Sequence, residues 1–320
     1  MAASEAAQGY GRGNVRRTFA DLQKSPVLRR RQAIGWIMRV LLFLAAALSV
    51  FVTTAIVVIL VRESWDFFRQ VPLSEFLTDT EWTPVFSQPH FGIWPLLTAT
   101  LWATGIALLV ALPLGLTLAI YLSEYAPTAV REIVKPSLEL LAAVPTVVFG
   151  YFALLFLTPF FQLFIPGLSG FNLLVPGIVL GILILPYVVS VSEDAMRAVP
   201  ASLREGGYAL GMSRWQTASR VVIPGAFSGI TAAFILGMSR AIGETMVVAI
   251  AAGQNPNLTL DPREGAATIT AYIVQMSLGD LPHGSLAYST IFAVGLVLFI
   301  ITLTFNLIGF FLRRRFREVY

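Results

Sequence analysis

The chain has 320 residues, 56% of them hydrophobic and only 12% charged, with a formal charge of +4 and no cysteine. A charged share about half the usual ~25% excludes an ordinary soluble domain. The lack of Cys, with only two His, excludes thiol nucleophiles, disulfide staples and the common transition-metal cages.

The first 35 residues are polar and carry Arg16, Arg17, Arg29, Arg30 and Arg31. Gly9, Gly11 and Gly13 are spaced like part of a dinucleotide loop, but no strand precedes them, so residues 1–35 read as a flexible cytoplasmic tail against anionic membrane lipid. The apolar segment that follows is too long for a signal-peptide core and predicts a retained anchor.

About 20 apolar residues at 1.5 Å rise cross the ~30 Å hydrocarbon core as a helix with its backbone paired internally. Six stretches meet this test: 36–61, 94–122, 133–157, 173–191, 228–252 and 285–312. An all-α membrane protein with six transmembrane helices is expected, its core running over 94–312 and ending in a short cytoplasmic tail, 313–320. Pro136 and Pro145 each remove a backbone donor from the third span and predict a bend or break there.

The segments on one side (the tail through Arg39, 123–137, 192–227 and the end from Arg313) hold 18 Lys and Arg, whereas the other side holds Arg62, Arg69 and Arg263. By the positive-inside rule both termini lie inside, and the basic pI near 9.6 needs no nucleic acid. On the outside, 62–93 combines Trp65, Phe67, Phe68, Phe76, Trp82 and Phe86 with acidic residues. That composition fits an interfacial aromatic collar or a docking surface for an outside partner. In the second outer loop, 253–284, Ile269, Ile273 and Met276 recur at helical spacing and predict an amphipathic helix over the pore mouth.

The inner loop 192–227 is too polar to span and too long for a simple connection. It contains Glu205-Gly206-Gly207-Tyr208-Ala209-Leu210-Gly211 and, nine residues on, Val221-Val222-Ile223-Pro224. This resembles the EAA loop of ABC importer permeases, E-A-A-x-x-x-G, nine residues, I-x-L-P, with Gly206 and Gly207 in place of the two Ala. The local reading is a short helix ended by Gly211, a turn, a second helix with Trp215, and Pro224 turning the chain back to the membrane. The resemblance implies that this knob, through Glu205 and Gly211, seats in an ATP-binding subunit. No G-x-x-x-x-G-K-[ST] loop occurs, and the only Lys residues are Lys24 and Lys135. The chain is thus expected not to be an enzyme and to hold no cofactor, ATP-Mg being bound by a partner ATPase.

In the fifth span Gly229, Ala233, Gly237 and Ala241 form a ladder of small residues that lets another helix approach closely. Arg240 stands deep in this span, where an unpaired Arg costs at least ~2.5 kcal/mol. Glu244, four residues on, is placed for an ion pair with it on a continuous helix. Structural pairing and a role in passing an anion are both open.

The string Gly237-Met238-Ser239-Arg240-Ala241-Ile242-Gly243-Glu244-Thr245-Met246 resembles the G-R-A-x-G-E-T-M segment of the phosphate-specific transport permeases, the PstC family. Leu141 to Gly150, LAAVPTVVFG, and Ser192 to Pro200, SEDAMRAVP, resemble two further segments of that family. The sister PstA permeases instead carry G-E-T-A-P at the Gly243-Glu244-Thr245 position. The resemblance implies a type I importer fold in the bacterial cytoplasmic membrane, with a PstA-like permease, a PstB-like ATPase dimer, a PstS-like phosphate-binding protein and inorganic phosphate as cargo. A planar guanidinium chelates two phosphate oxygens, so Arg240 is expected to leave Glu244 for the passing anion, with Thr146 and the backbone at Pro145 as further pathway groups. Another oxyanion such as sulfate or molybdate, or a secondary transporter using Arg240 and Glu244 as a proton-coupled pair, are the alternatives.

Overall fold

The computed structural model describes residues 26–315; the expectations for the tail glycines and for 316–320 lie outside the described residues. The chain divides into two units at residue 59. In the first, the described chain is the leading part of helix α1 (Pro26–Gln70). Its apolar side chains, Leu42, Phe43 and Phe51 among them, are exposed all round, as a lipid-facing helix requires. Thr53 and Thr54 turn their hydroxyls onto the carbonyls of Ser49 and Val50 at 2.9 and 2.8 Å, so neither meets the apolar surroundings unpaired.

In the second unit, from Leu60, helices are the regular elements of the described residues, joined by loops that hold one isolated bridge, between Trp82 and Phe91. After α2 (Leu73–Thr78) comes α3 (Trp94–Ile120), closed by a π turn, Tyr121–Tyr125. Then follow α4 (Thr128–Ala143), α5 (Thr146–Phe152), α6 (Thr158–Gln162) and α7 (Leu174–Arg197). The inner loop forms α8 (Ala201–Ala209), α9 (Arg214–Thr217) and α10 (Ile223–Gly225). The chain ends with α11 (Phe227–Ile242), α12 (Met246–Ala251), α13 (Ile269–Leu278) and α14 (Leu286–Arg315).

Helix α7 is the hub: it packs on α3 and α11, and Val179, Leu180, Leu183, Ile184 and Val188 are buried in those contacts. The small-residue ladder of α11 is the reason α11 reaches it. A Cβ on Gly229 would stand 2.3 Å from that of Ala195, which glycine alone avoids, and one on Gly237 would stand 3.0 Å from a Val188 methyl, which would have to give way.

Among the described residues four helices are long and apolar enough to cross a membrane, and two bent pairs, Thr128–Ala143 with Thr146–Gln162 and Arg214–Gly225 with Phe227–Ile242, reach that length only together. The third expected span is not one helix. Thr128–Ala143 and Thr146–Gln162 meet at 87° across Val144 and Pro145. Pro145 has no N–H to give, and it forces Val144 into an extended conformation (φ −68°, ψ 131°). Pro136, by contrast, stays inside α4. The fifth span also departs from expectation: α11 stops at Ile242, and the chain is non-helical at Gly243–Thr245 before α12 begins.

The outer aromatics serve a core rather than the expected collar. Phe67, Phe76, Trp82 and Phe91 are buried with Tyr272 of α13 in edge-to-face contacts 5.3–6.4 Å apart, while Trp65 and Phe86 stay exposed. Ile273 and Met276 of the predicted outer helix pack against the same cluster. A polar strap closes it: His90 Nδ1 lies 2.9 Å from Asp79 Oδ2, and Glu81 lies 3.8 Å from Nε2. The hydrogen bond to Asp79 holds the His90 pKa above 6.5, and nearby Glu81 and Glu75 act in the same direction. Burial works to raise the Asp79 pKa, but the Glu81 N–H and the His90 ring outweigh it and hold the carboxyl below 3.8. The imidazolium's contribution is complete below about pH 6.5 and is lost as pH rises through the raised His90 value; the carboxylate's is lost only in strong acid. Amide exchange in residues 79–92, corrected for intrinsic rates, is therefore expected to slow from pH 8 to pH 6. His90→Gln should remove that difference, and a pH-independent wild type would refute the strap.

Candidate functional site

Two constellations emerge, one at the inner loop and one at the break after α11. The inner loop folds as a compact knob. α8 ends at Gly211, whose φ of +76° suits glycine, with its N–H on the Tyr208 carbonyl at 2.9 Å. α9 then starts in a capping box, Ser213 Oγ accepting from the Gln216 N–H while the Gln216 side chain accepts from the Ser213 N–H. At Pro224 and Ala226 the chain turns by 72° into α11. Glu205, Gly206, Tyr208, Leu210, Trp215 and Pro224 are exposed, so the knob presents apolar and acidic groups together.

The two glycines that replace Ala are not equivalent. A Cβ on Gly206 would meet nothing within 4 Å, whereas one on Gly207 would stand 3.3 Å from the buried Thr217 hydroxyl. Gly206→Ala is thus expected to raise stability by about 0.5–1 kcal/mol through helix propensity alone. Gly207→Ala should gain less, because Thr217 must give way. Paired thermal melts test the contrast, and equal gains would contradict it.

Sequence reasoning missed what ties the knob down. Arg204, next to Glu205, donates to the carbonyls of Val199 and Met196 at 2.6 and 2.7 Å and pairs at 3.1 Å with Glu124 at the end of α3. One guanidinium thus joins α8 to the inner ends of α3 and α7. Beside it, Lys135 of α4 lies 2.7 Å from both Glu193 and Asp194 of α7, and Glu193, 1% exposed, also faces Arg197 at 3.5 Å. The available signals were Glu124 closing an apolar span and Lys135 as the sole Lys beyond the tail.

At the break, Arg240 and Glu244 do not pair, because α11 ends between them and the four-residue spacing no longer shares a helix face. The Arg240 guanidinium lies 4.4 Å over the Tyr187 ring of α7. Its residue is exposed on the surface of the chain. Glu244 is 9% exposed and turns the other way, its Oε1 accepting the Met246 N–H at 3.2 Å at the start of α12. Its own carbonyl accepts the Thr270 hydroxyl of α13 at 2.7 Å, which fixes the break to the outer loop. Pro145 and Thr146 open α5, and α5 packs on α12, where a Cβ on Gly150 would meet Ile250 at 2.9 Å and the Met246 carbonyl at 3.1 Å. Among the described residues no hydrogen bond joins Thr146 to Arg240 or Glu244.

Residues 111–318 match the family described as binding-protein-dependent transport system inner membrane component. The chain is 39% identical over 241 residues to the probable ABC transporter permease protein YqgH of Bacillus subtilis (strain 168), covering 75% of this chain and 78% of that protein. It is 34% identical over 280 residues to the phosphate transport system permease protein PstC of Mesorhizobium japonicum, covering 81% and 83%. A solved bacterial ABC transporter involved in the import of the acidic polysaccharide alginate shares the fold, with a TM-score of 0.63 over 91% of this chain and 99% of its own at 15% identity. The chain belongs to the binding-protein-dependent transport system inner membrane components, as a multi-pass ABC importer permease subunit that is PstC-like in sequence.

Proposed function

We propose that this chain is the permease subunit of an ATP-driven importer of inorganic phosphate in the bacterial cytoplasmic membrane, with both termini inside. The observation that carries the reading is Arg240. It is a guanidinium within an apolar helix, held from one side by a ring and, among the described residues, left without a carboxylate, in a string that resembles the PstC segment. Such a group needs a counter-charge. A passing phosphate supplies one and takes two parallel hydrogen bonds. The surface bearing Arg240 then faces a PstA-like permease across the pathway, with Thr146 and Pro145 of α5 on the same route. Glu244, engaged at the start of α12, serves to hold the break open rather than to neutralise Arg240.

In this reading a PstS-like protein delivers phosphate outside, and two PstB-like subunits bind ATP-Mg inside. Closure of the ATPase pair moves the knobs through Glu205, Gly206, Gly207, Gly211, Trp215 and Pro224. Arg204 carries that motion to α3 and α7, because its four hydrogen bonds reach Glu124, Met196 and Val199 at their inner ends. The test is ATP-dependent uptake of labelled phosphate in proteoliposomes holding the assembled importer and binding protein, with sulfate and molybdate as controls. Uptake confined to phosphate supports the reading. Uptake of sulfate or molybdate instead reassigns the cargo, and transport without ATP overturns the reading.

A further inference from the structure

The inner ends of α11 and α14 line a cleft apart from Arg240, Glu244, Pro145 and Thr146. Higher up, the two helices touch closely: Ser239 Oγ donates to Asn306 Oδ1 at 3.2 Å, and a Cβ on Gly309 would stand 2.2 Å from Ile235. Below that crossing they separate around a cavity of about 590 Å³, lined by Ser228, Gly229 and Ala232 of α11 and by Phe310, Arg313 and Arg314 of α14. Its lining combines these apolar groups with one hydroxyl and two exposed guanidiniums. Among the described residues neither Arg313 nor Arg314 pairs with a carboxylate, whereas Arg197, Arg204 and Arg263 do. Ser228 follows the knob's Pro224 by four residues, so the cleft lies at the cytoplasmic face.

We propose that this cleft binds the headgroup of an anionic phospholipid of the inner leaflet. Each part has a use. The guanidiniums and the Ser228 hydroxyl chelate the phosphodiester, and Phe310 with Ala232 and Gly229 receives the first carbons of the chains. The charge sign selects an anionic lipid over a zwitterionic one, and the apolar part of the lining selects a lipid over a free anion. Because α11 carries Arg240 near its other end, a lipid wedged between α11 and α14 steadies the helix that bears the pathway residue.

The test uses the intact importer, delipidated in detergent and titrated with short-chain phosphatidylglycerol, with retention read by native mass spectrometry. Phosphatidylglycerol should bind, phosphatidylcholine should not, and 10-fold excess inorganic phosphate should not displace it. Arg313→Gln/Arg314→Gln is expected to weaken retention about 30-fold, the loss of two basic contacts at an anionic headgroup. Ala232→Phe keeps both charges but fills the space between the helices, and it should abolish retention. Displacement by inorganic phosphate would make this a free-anion site and overturn the lipid assignment. Undiminished retention in Ala232→Phe would reduce it to surface charge, and undiminished retention in the double Arg variant would place the lipid elsewhere; either result refutes the cleft.

Discussion

Arg240→Gln should lower ATP-dependent phosphate uptake by about 100-fold or more while leaving the importer assembled. The estimate follows from losing charge-assisted hydrogen bonds worth about 3 kcal/mol where water does not replace them, at about 1.4 kcal/mol per tenfold. Glutamine retains hydrogen-bonding capacity and some length but neither the charge nor the fork, so the change isolates bidentate recognition. Assembly is expected to survive because the residue is exposed and, among the described residues, makes no ion pair. Arg240→Lys should recover part of the rate, since charge returns without the planar geometry. Tyr187→Leu, which removes only the ring beneath the guanidinium, should slow uptake less than Arg240→Gln. Wild-type uptake in Arg240→Gln would end the pathway role of this residue, even with phosphate as the confirmed cargo.

What the sequence disclosed and what it hid divide along the range of the forces involved. Apolar length and charge asymmetry are local sums, so the spans and the inner loop could be read directly. The turn at Gly211 and the bend at Pro145 follow from residues within four positions, and they also were readable. The end of α11 at Ile242 was not: Gly243 alone does not stop a helix, and the break is held by the Thr270 hydroxyl 26 residues on. Reading Arg240 and Glu244 as a pair assumed helical continuity that this long-range bond interrupts. The outer aromatics misled for a similar reason. Composition suits a collar equally well, and only the packing of Tyr272 from a distant helix shows that Phe67, Phe76 and Trp82 point inward. Lys135 and Glu193, 58 residues apart, left no periodic trace at all.

That last pair carries the second large expected effect. Helix α4 buries none of its side chains, so apolar packing alone holds it weakly. Its polar hold on α7 is Lys135, which divides two 2.7 Å contacts between the buried Glu193 and the exposed Asp194. Lys135→Met removes the cation and leaves the Glu193 carboxylate, 1% exposed, with only Arg197 at 3.5 Å. Stranding one partner of a buried pair costs about 3–5 kcal/mol; the lower end applies here because Lys135 is 28% exposed and Arg197 remains. A single Lys135→Met variant should therefore melt well below wild type, with faster amide exchange in α4. Adding Glu193→Gln removes the stranded charge and should restore much of the loss, because an absent ion pair costs less than half of one. The same cycle bears on transport, since α4 leads into the 87° bend at Pro145 while Glu193 sits one turn before Met196, whose carbonyl holds Arg204. If stability returns in the double variant but uptake does not, the Lys135–Glu193 contact transmits motion between knob and bend. If both return together the contact is structural, and an unaltered melting temperature in Lys135→Met would mean that α4 is held by something other than this pair.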